Sequence, residues 1–364
     1  MNSQSPKYLQ LKEEILSWLA SGRYRPGDKL PSENELAEQY SLSRQTVRQS
    51  IGELVQEGWI AREQGKGTFV SKQSAERRNA SGNRTVGVIT TSISDYIFPS
   101  IVRGVESALK DKGYRLLLSS TDNRKERERE SLEMMLSHSV CGLIVEPTKS
   151  AEGNPNFDNY LAIEDHGIPM LMINETYSDL DCQSVRVDDD AGGLMAANYM
   201  LELGHRQLAG FFKTDDYQGV RRMKGFIRAC REHNLASEES TIVRYSTEDK
   251  GERPQAMLRE LLQSDTPPTA IVCYNDQLAV SLLDTIRELG LRVPEDLSII
   301  GYDDSFLATA TETKLTTIEH PKSALGERAA NLLIMQLEKG QAPTSKESLY
   351  PPKLIIRQST REFR

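Results

Sequence analysis

The chain has 364 residues, with 45 Lys and Arg against 53 Asp and Glu, a formal charge of -8, and four cysteines. That length suits two or three folding units, and the lack of any apolar run of about 18 residues excludes a membrane-spanning helix. The start, MNSQSPKYLQLKEE, lacks the basic and apolar regions of a secretory signal, so a cytoplasmic protein is expected. Cys141, Cys182, Cys230 and Cys273 lie far apart with no C-x-x-C pair, which predicts free thiols of a reducing compartment and no metal site.

The charge is unevenly spread. Residues 1–71 hold nine basic and nine acidic side chains, residues 72–84 four and one, and the rest 32 and 43. The acidity belongs to the C-terminal part, and a near-neutral first unit binding a polyanion should do so weakly unless paired with a second copy.

In chain order, Tyr8, Leu11, Ile15, Trp18 and Leu19 recur at helical spacing, predicting a supporting helix. Ser32 followed by Glu35 has capping-box spacing and predicts a helix ending near Tyr40. Ser43 is a second N-cap, and Val47, Ile51, Leu54 and Val55 form one apolar stripe, leaving Arg44, Gln45, Arg48 and Gln49 off the core face. Gly58 closes that helix, and residues 59–62 and 68–70 read as strands joined by Gln64, Gly65, Lys66 and Gly67. Two short helices followed by a two-stranded ribbon make a winged helix-turn-helix. Arg and Gln near a helix N-terminus suit bidentate contacts to guanine and adenine in the major groove, with Thr46 available to a phosphate.

These residues carry a resemblance. Leu30-Pro31-Ser32-Glu33, Glu35-Leu36-Ala37, Ser43-Arg44, Thr46-Val47-Arg48 and Gly65 to Val70 resemble the DNA-binding domain of GntR-type regulators over about residues 5–71. The resemblance implies that Arg44, Gln45, Thr46 and Arg48 read operator DNA, with Glu33, Asn34 and the wing residues Gln64, Gly65, Lys66, Gly67 and Thr68 in flanking contacts. Lys7 is a further candidate phosphate contact. Residues 72–84 have no apolar periodicity and read as a linker.

From Thr85 onward, short apolar strands alternate with amphipathic helices, which predicts parallel sheets covered on both faces. Strands are expected near residues 86–90, 114–118, 142–145 and 169–173, and in a second unit near 208–212, 241–245, 270–273 and 297–301. Ligands in such sheets bind beyond the carboxyl ends of strands. Thr91, Tyr96, Phe98, Asn174, Glu175, Tyr274, Asn275, Asp276 and Asp303 follow strands, and Arg222 lies in the helix after Phe212. Carboxylates, amides and an Arg beside aromatic rings suit a small polyhydroxylated ligand.

The segments VGVIT, RGVESALKDKGY, IPMLMINE, VRVDDDAGGLMAANYMLELGHRQLAGF, RRMKGF, the run from Thr269 to Asp304, and LTTIEHPKSALGERA resemble the effector domain of LacI/GalR repressors over about residues 85–360. The implied fold is an α/β, periplasmic-binding-protein-like domain of two doubly wound subdomains, entered after an α+β winged helix-turn-helix of residues 1–71. The third unit then spans residues 85–364. By resemblance, Thr91, Arg222, Asn275 and Asp303 match effector-binding positions, His320 lies in a segment returning across the cleft, and the chain crosses between subdomains near Val187, His320 and Tyr350. Asn174 stands where many members carry Asp, with Glu175 beside it. The same resemblance implies a homodimer with its dimer face on the helix 323–340 and the helix from Ile101. A GntR-type reader joined to a LacI/GalR-type sensor resembles the arabinose repressor family of Firmicutes, implying L-arabinose as effector and no cofactor. Other sugars, an activator, a non-regulatory sugar-binding protein, and an enzyme using the adjacent Asp303 and Asp304 stay as alternatives.

Overall fold

A computed structural model describes residues 6–20, 23–24, 27–63, 66–71, 84–94, 96–236, 239–339 and 347–363. The predicted Gln64 and Gly65 contacts, and the linker up to residue 83, lie outside the described residues.

The N-terminal unit has helices α1 (Lys7–Ala20), α2 (Glu33–Gln39) and α3 (Arg44–Gln56), then strands β1 (Ile60–Glu63) and β2 (Gly67–Val70), paired antiparallel. Its capping box is complete: Ser32 Oγ accepts from Glu35 N at 3.3 Å and Glu35 Oε2 from Ser32 N at 2.7 Å. Ser43 Oγ accepts from Thr46 N at 3.1 Å, starting α3. Gly58 takes φ +71°, and Trp59 N donates to Leu54 O at 2.9 Å, which ends it. Leu11, Ile15, Trp18 and Leu19 of α1 pack with Leu36, Val47, Ile51 and Leu54 in one core. Lys29 bridges to Phe69, adding a short third lane to the ribbon that the sequence did not announce.

Two six-stranded sheets follow. The first contains β3 (Thr85–Thr90), β4 (Arg115–Ser120), β5 (Gly142–Val145), β6 (Met170–Ile173), β7 (Gln183–Val187) and β13 (Glu347–Tyr350), in the order β13-β7-β6-β5-β3-β4, all parallel. The second contains β8 (Leu208–Lys213), β9 (Ser240–Tyr245), β10 (Ala270–Cys273), β11 (Ser298–Asp303), β12 (Thr316–Glu319) and β14 (Leu354–Ile355), in the order β14-β12-β11-β10-β8-β9, parallel except for β14. The chain passes from the first sheet to the second after Val187, and from β13 back to β14 after Tyr350. After His320 it enters α12 (Lys322–Lys339), which packs on α4 (Phe98–Asp111) of the first subdomain. All three crossings lie where the resemblance implied.

The first subdomain also holds α5 (Lys125–Ser137) and α6 (Phe157–Asp165). The second holds α7 (Asp189–Glu202), α8 (Tyr217–Glu232), α9 (Arg253–Leu262), α10 (Asp276–Glu288) and the short α11 (Leu307–Ala310). Each sheet is buried on both faces, by the core of Val86, Val88, Ile144 and Leu171 and that of Ile89, Leu143 and Met172 in the first. Strands β7 and β12, the edge strands β13 and β14, and helices α6 and α11 were not foreseen. Much of the apolar stripe of α12 faces inward, with Leu325, Ala329, Leu332 and Leu333 buried and Met335 40% exposed.

Candidate functional site

On α3, Arg44, Gln45 and Arg48 are exposed and Thr46 is half-buried, its hydroxyl 2.8 Å from that of Ser43. Arg48 does not stand free: its Nε lies 3.3 Å from Glu33 Oε2, while Arg62 Nη2 of β1 lies 2.6 Å from Glu33 Oε1. Glu33 therefore ties α3 to β1, and both of its carboxylate oxygens are engaged by cations of its own unit. Asn34 is exposed on α2, and Lys7 is exposed at the start of α1. Lys66, exposed beyond β1, pairs with Glu63 at 3.1 Å; Gly67 holds φ +131°, and Thr68 is half-buried on β2.

Between the two sheets, at the carboxyl ends of their strands, lies a cavity of about 580 Å³. Of the residues expected there, Thr91, Tyr96, Phe98, Arg222, Tyr274, Asn275 and Asp303 line it. Arg222 reaches the cavity from α8 with its guanidinium held on three sides. Its Nε donates to Asp189 Oδ1 (2.7 Å), Nη1 to Tyr274 O (2.7 Å) and Nη2 to Asp303 Oδ1 (3.3 Å). Burial opposes its charge, and the carboxylates of Asp189 and Asp303 outweigh that, so its pKa rises. Asn275 caps α10, its Oδ1 accepting from Leu278 N at 2.9 Å. Tyr96 brings its ring to the wall, but its hydroxyl donates across the cleft to Asp303 Oδ2 at 2.6 Å.

Four expected residues are not on the wall. Asn174 sits behind it at φ +65°, its amide nitrogen donating to Glu146 Oε1 (2.7 Å) and its oxygen accepting from His320 Nε2 (3.1 Å). His320 is buried, and desolvation pushes its pKa down to about 4, which keeps the ring neutral; the Asn174 oxygen facing Nε2 assigns the remaining proton to that nitrogen. Glu175 turns to Arg221 Nε (2.8 Å) and Arg186 Nη1 (3.5 Å). Asp276 opens α10 pointing inward, accepting from Thr317 Oγ1 (2.7 Å), Ser305 N (2.7 Å) and Ser305 Oγ (3.0 Å). A strand end fixes where a side chain starts; these four are drawn to protein partners behind the wall.

The cavity also collects residues that the sequence did not single out. Glu146, just beyond β5, accepts from Thr91 N (2.9 Å) and Thr91 Oγ1 (2.8 Å) on Oε2 and from Asn174 on Oε1. Burial pushes its carboxyl above the usual range. Lys213 lies 3.1 Å from Asp215 and 2.9 Å from Asp216. Burial alone would raise the Asp216 pKa, but the ammonium beside it and hydrogen bonds from Lys213, Gly219 and Tyr274 hold it below the usual range. Tyr245 and Tyr274 meet edge to face at 6.3 Å. Glu146 and Asp216 satisfy the same strand-end rule as the predicted residues and could have been found by it.

The two subdomains meet around this cavity. Asn123 Nδ2 donates to Thr247 Oγ1 (2.6 Å), Tyr217 N to Ser150 Oγ (2.9 Å) and Ala151 N to Asp215 O (3.2 Å), and Lys149 pairs with Glu248. Among the described residues no group of His, Cys, Asp and Glu could hold a metal, the four cysteines are free, and no helix is long and apolar enough to cross a membrane.

Comparison with known proteins agrees with both parts. Residues 7–70 match the model of bacterial regulatory proteins of the gntR family, and residues 197–360 that of the periplasmic binding protein-like domain. An arabinose metabolism transcriptional repressor of Geobacillus stearothermophilus is 51% identical over 98% of this chain and 98% of its own length. Its namesake from Halalkalibacterium halodurans is 46% identical over 98% and 97%. A LacI family transcriptional regulator from Enterococcus faecium, solved with bound ribose, superposes with a TM-score of 0.67 at 26% identity, covering 77% of this chain and 100% of that one. The chain belongs to the family of arabinose metabolism transcriptional repressors, with a GntR-type winged helix ahead of a LacI-like sensor fold.

Proposed function

We propose that the cleft takes an uncharged pentose, L-arabinose, and that its closure on the sugar releases a homodimer from operator DNA. One observation carries the reading: polar side chains from the strand ends of both sheets converge on one cavity in which the buried cations are already neutralised. Arg222 faces Asp189 and Asp303, Lys213 faces Asp215 and Asp216, Asp122 pairs with Arg127, and Glu146 accepts from Thr91 and Asn174. Hydroxyl groups can donate to these carboxylates and accept from the remaining guanidinium N–H groups, while Phe98, Tyr245 and Tyr274 offer faces for C–H patches.

Arg44, Gln45 and Arg48 supply base contacts and Thr46, Lys7 and Lys66 phosphate contacts in this reading, from a unit of residues 1–71 tethered through 72–84 to the sensor, 85–364. Its near-neutral charge makes two copies on a two-fold symmetric site the natural arrangement. The carboxylates of Glu146, Asp276 and Asp303 are each engaged by protein donors, which favours a binding site over a catalytic one. The test is thermal shift of the full chain with L-arabinose, D-ribose and D-xylose and their phosphates, followed by operator release. Stabilisation by free L-arabinose at the lowest concentration, with DNA release over the same range, is the expected result. Stabilisation by a sugar phosphate alone, or recovery of a chemically altered sugar, would overturn it.

A further inference from the structure

Ten non-glycine residues among those described hold a positive φ, and seven lie at the strand ends around the cleft. Five of these are Asp122, Asn123, Asn174, Asp303 and Asp304, residue types that tolerate left-handed backbone. The other two are Tyr96, at +61°, and Lys149, at +41°. Neither type is at ease there, and such strain persists where surrounding contacts over-determine it.

Both side chains cross to the opposite subdomain. The Tyr96 hydroxyl donates its one hydrogen to Asp303 Oδ2 at 2.6 Å and accepts from Asp276 N at 3.2 Å. The Lys149 ammonium pairs with Glu248 beyond β9, and lies 3.7 Å from Glu152 on its own side. Lys149 is not on the cavity wall. Tyr96 acts deep in the cleft and Lys149 apart from the cavity, yet each combines a strained backbone with a bond that exists only when the subdomains are together.

We infer that Tyr96 and Lys149 are closure latches: positioning residues that hold the two subdomains together and set the closed fraction of the sensor, without bonding to the sugar. The inference rests on the proposed sugar-released repressor. A protein whose binding-competent form is partly populated binds its ligand more weakly in proportion, and sites coupled through one equilibrium respond together. Loosening a latch should therefore weaken sugar binding and, in the absence of sugar, tighten operator binding.

The experiment uses the full chain, L-arabinose as probe, and a DNA fragment selected from a random pool by the wild-type protein. Tyr96→Phe, which removes only the hydroxyl, should weaken arabinose binding about tenfold and tighten sugar-free DNA binding. Lys149→Met should move both quantities in the same directions by about twofold, since an ion pair with an exposed partner is weak. Glu248→Gln should reproduce Lys149→Met, and the double variant should add nothing further. Loss of arabinose affinity with unchanged sugar-free DNA binding would make Tyr96 an ordinary sugar contact and overturn the latch, as would unchanged behaviour of both variants. A wild-type protein that binds arabinose without leaving DNA would overturn the functional reading and the latch with it. Should Tyr96→Phe fold poorly, the Lys149 and Glu248 variants, at a partly exposed lip, decide the matter.

Discussion

Arg222 and Asp189 form an ion pair closed off from water, with Nε 2.7 Å from Oδ1 and side-chain exposures of 2% and 0%. Breaking one partner of such a pair leaves the other charged in a low-dielectric site, which costs about 3–5 kcal/mol. Asp189→Ala should therefore lower the urea stability of the sensor by roughly that amount. Arg222→Met combined with Asp189→Leu should cost clearly less than the two single changes added. Full additivity would show that the two charges are not coupled. Arg222→Met should also remove arabinose binding while leaving DNA binding, because Nη2 sits beside Asp303 on the cavity wall.

The two cationic side chains at the proposed DNA face should fail in different ways. Arg44 is exposed at the first position of α3, so Arg44→Ala should cost about 1–3 kcal/mol on the selected site and relax preference at one base pair. Lys66 is a proposed phosphate contact, so Lys66→Ala should weaken all sequences alike and flatten the salt dependence by about one ion. Competition binding at two salt concentrations separates them. An Arg44→Ala protein with unchanged sequence preference would remove that residue from base reading.

Local rules made much of this molecule legible. Ser32 with Glu35 and Ser43 with Thr46 are caps complete within four residues, and the Val47, Ile51, Leu54 stripe needs only helical periodicity to declare its face. The sheets were legible because both faces are buried, which makes their strands continuous apolar runs. Strand β7 and the edge strands β13 and β14 carry no such run: Gln183, Ser184 and Arg186 interrupt β7, Glu347 and Ser348 open β13, and β14 is two residues long. In the cleft the strand-end rule located the wall but not its facing. Asn174 and Asp276 start where expected and turn inward, toward His320 and toward Thr317 with Ser305, because tertiary partners decide the direction. Glu146 reaches the cavity from a strand end passed over in the sequence.

Asp276 makes stability depend on pH in a direction opposite to most carboxylates. It is fully buried with no cation beside it, and desolvation raises its pKa from 3.8 to about 7 against the hydrogen bonds from Thr317 and Ser305. Below about pH 4 the group is protonated folded or unfolded and costs nothing. Between about 4 and 7 the unfolded chain ionises first, so this group's contribution falls as pH rises, by on the order of 4 kcal/mol in all. Asp276→Asn cannot ionise, so its stability relative to wild type should improve steadily from pH 4.5 to 7.5 in urea titrations. A difference between the two proteins that stays flat with pH would mean that Asp276 remains charged in the fold.

The contact of α4 with α12 admits no side chain at two places. A β-carbon on Gly104 would lie 2.1 Å from the carbonyl oxygen of Ser323, and one on Gly326 would lie 2.2 Å from that of Ile101. Both obstacles are backbone and cannot rotate away, so an added methyl must push the helices apart and loosen the buried Ile101, Val105, Leu325 and Ala329 between them. Overpacking of this kind typically costs about 1–3 kcal/mol, and Gly104→Ala should lower the urea midpoint accordingly. The displaced end of α12 adjoins the crossing after His320, where Lys322 Nζ donates to the carbonyls of Asp303 (2.7 Å), Asp304 (2.8 Å) and His320 (3.1 Å). Gly104→Ala should therefore also weaken the linkage between arabinose binding and DNA release, although Gly104 touches neither ligand. Unchanged stability together with unchanged linkage would show that the helices approach less closely than these distances require.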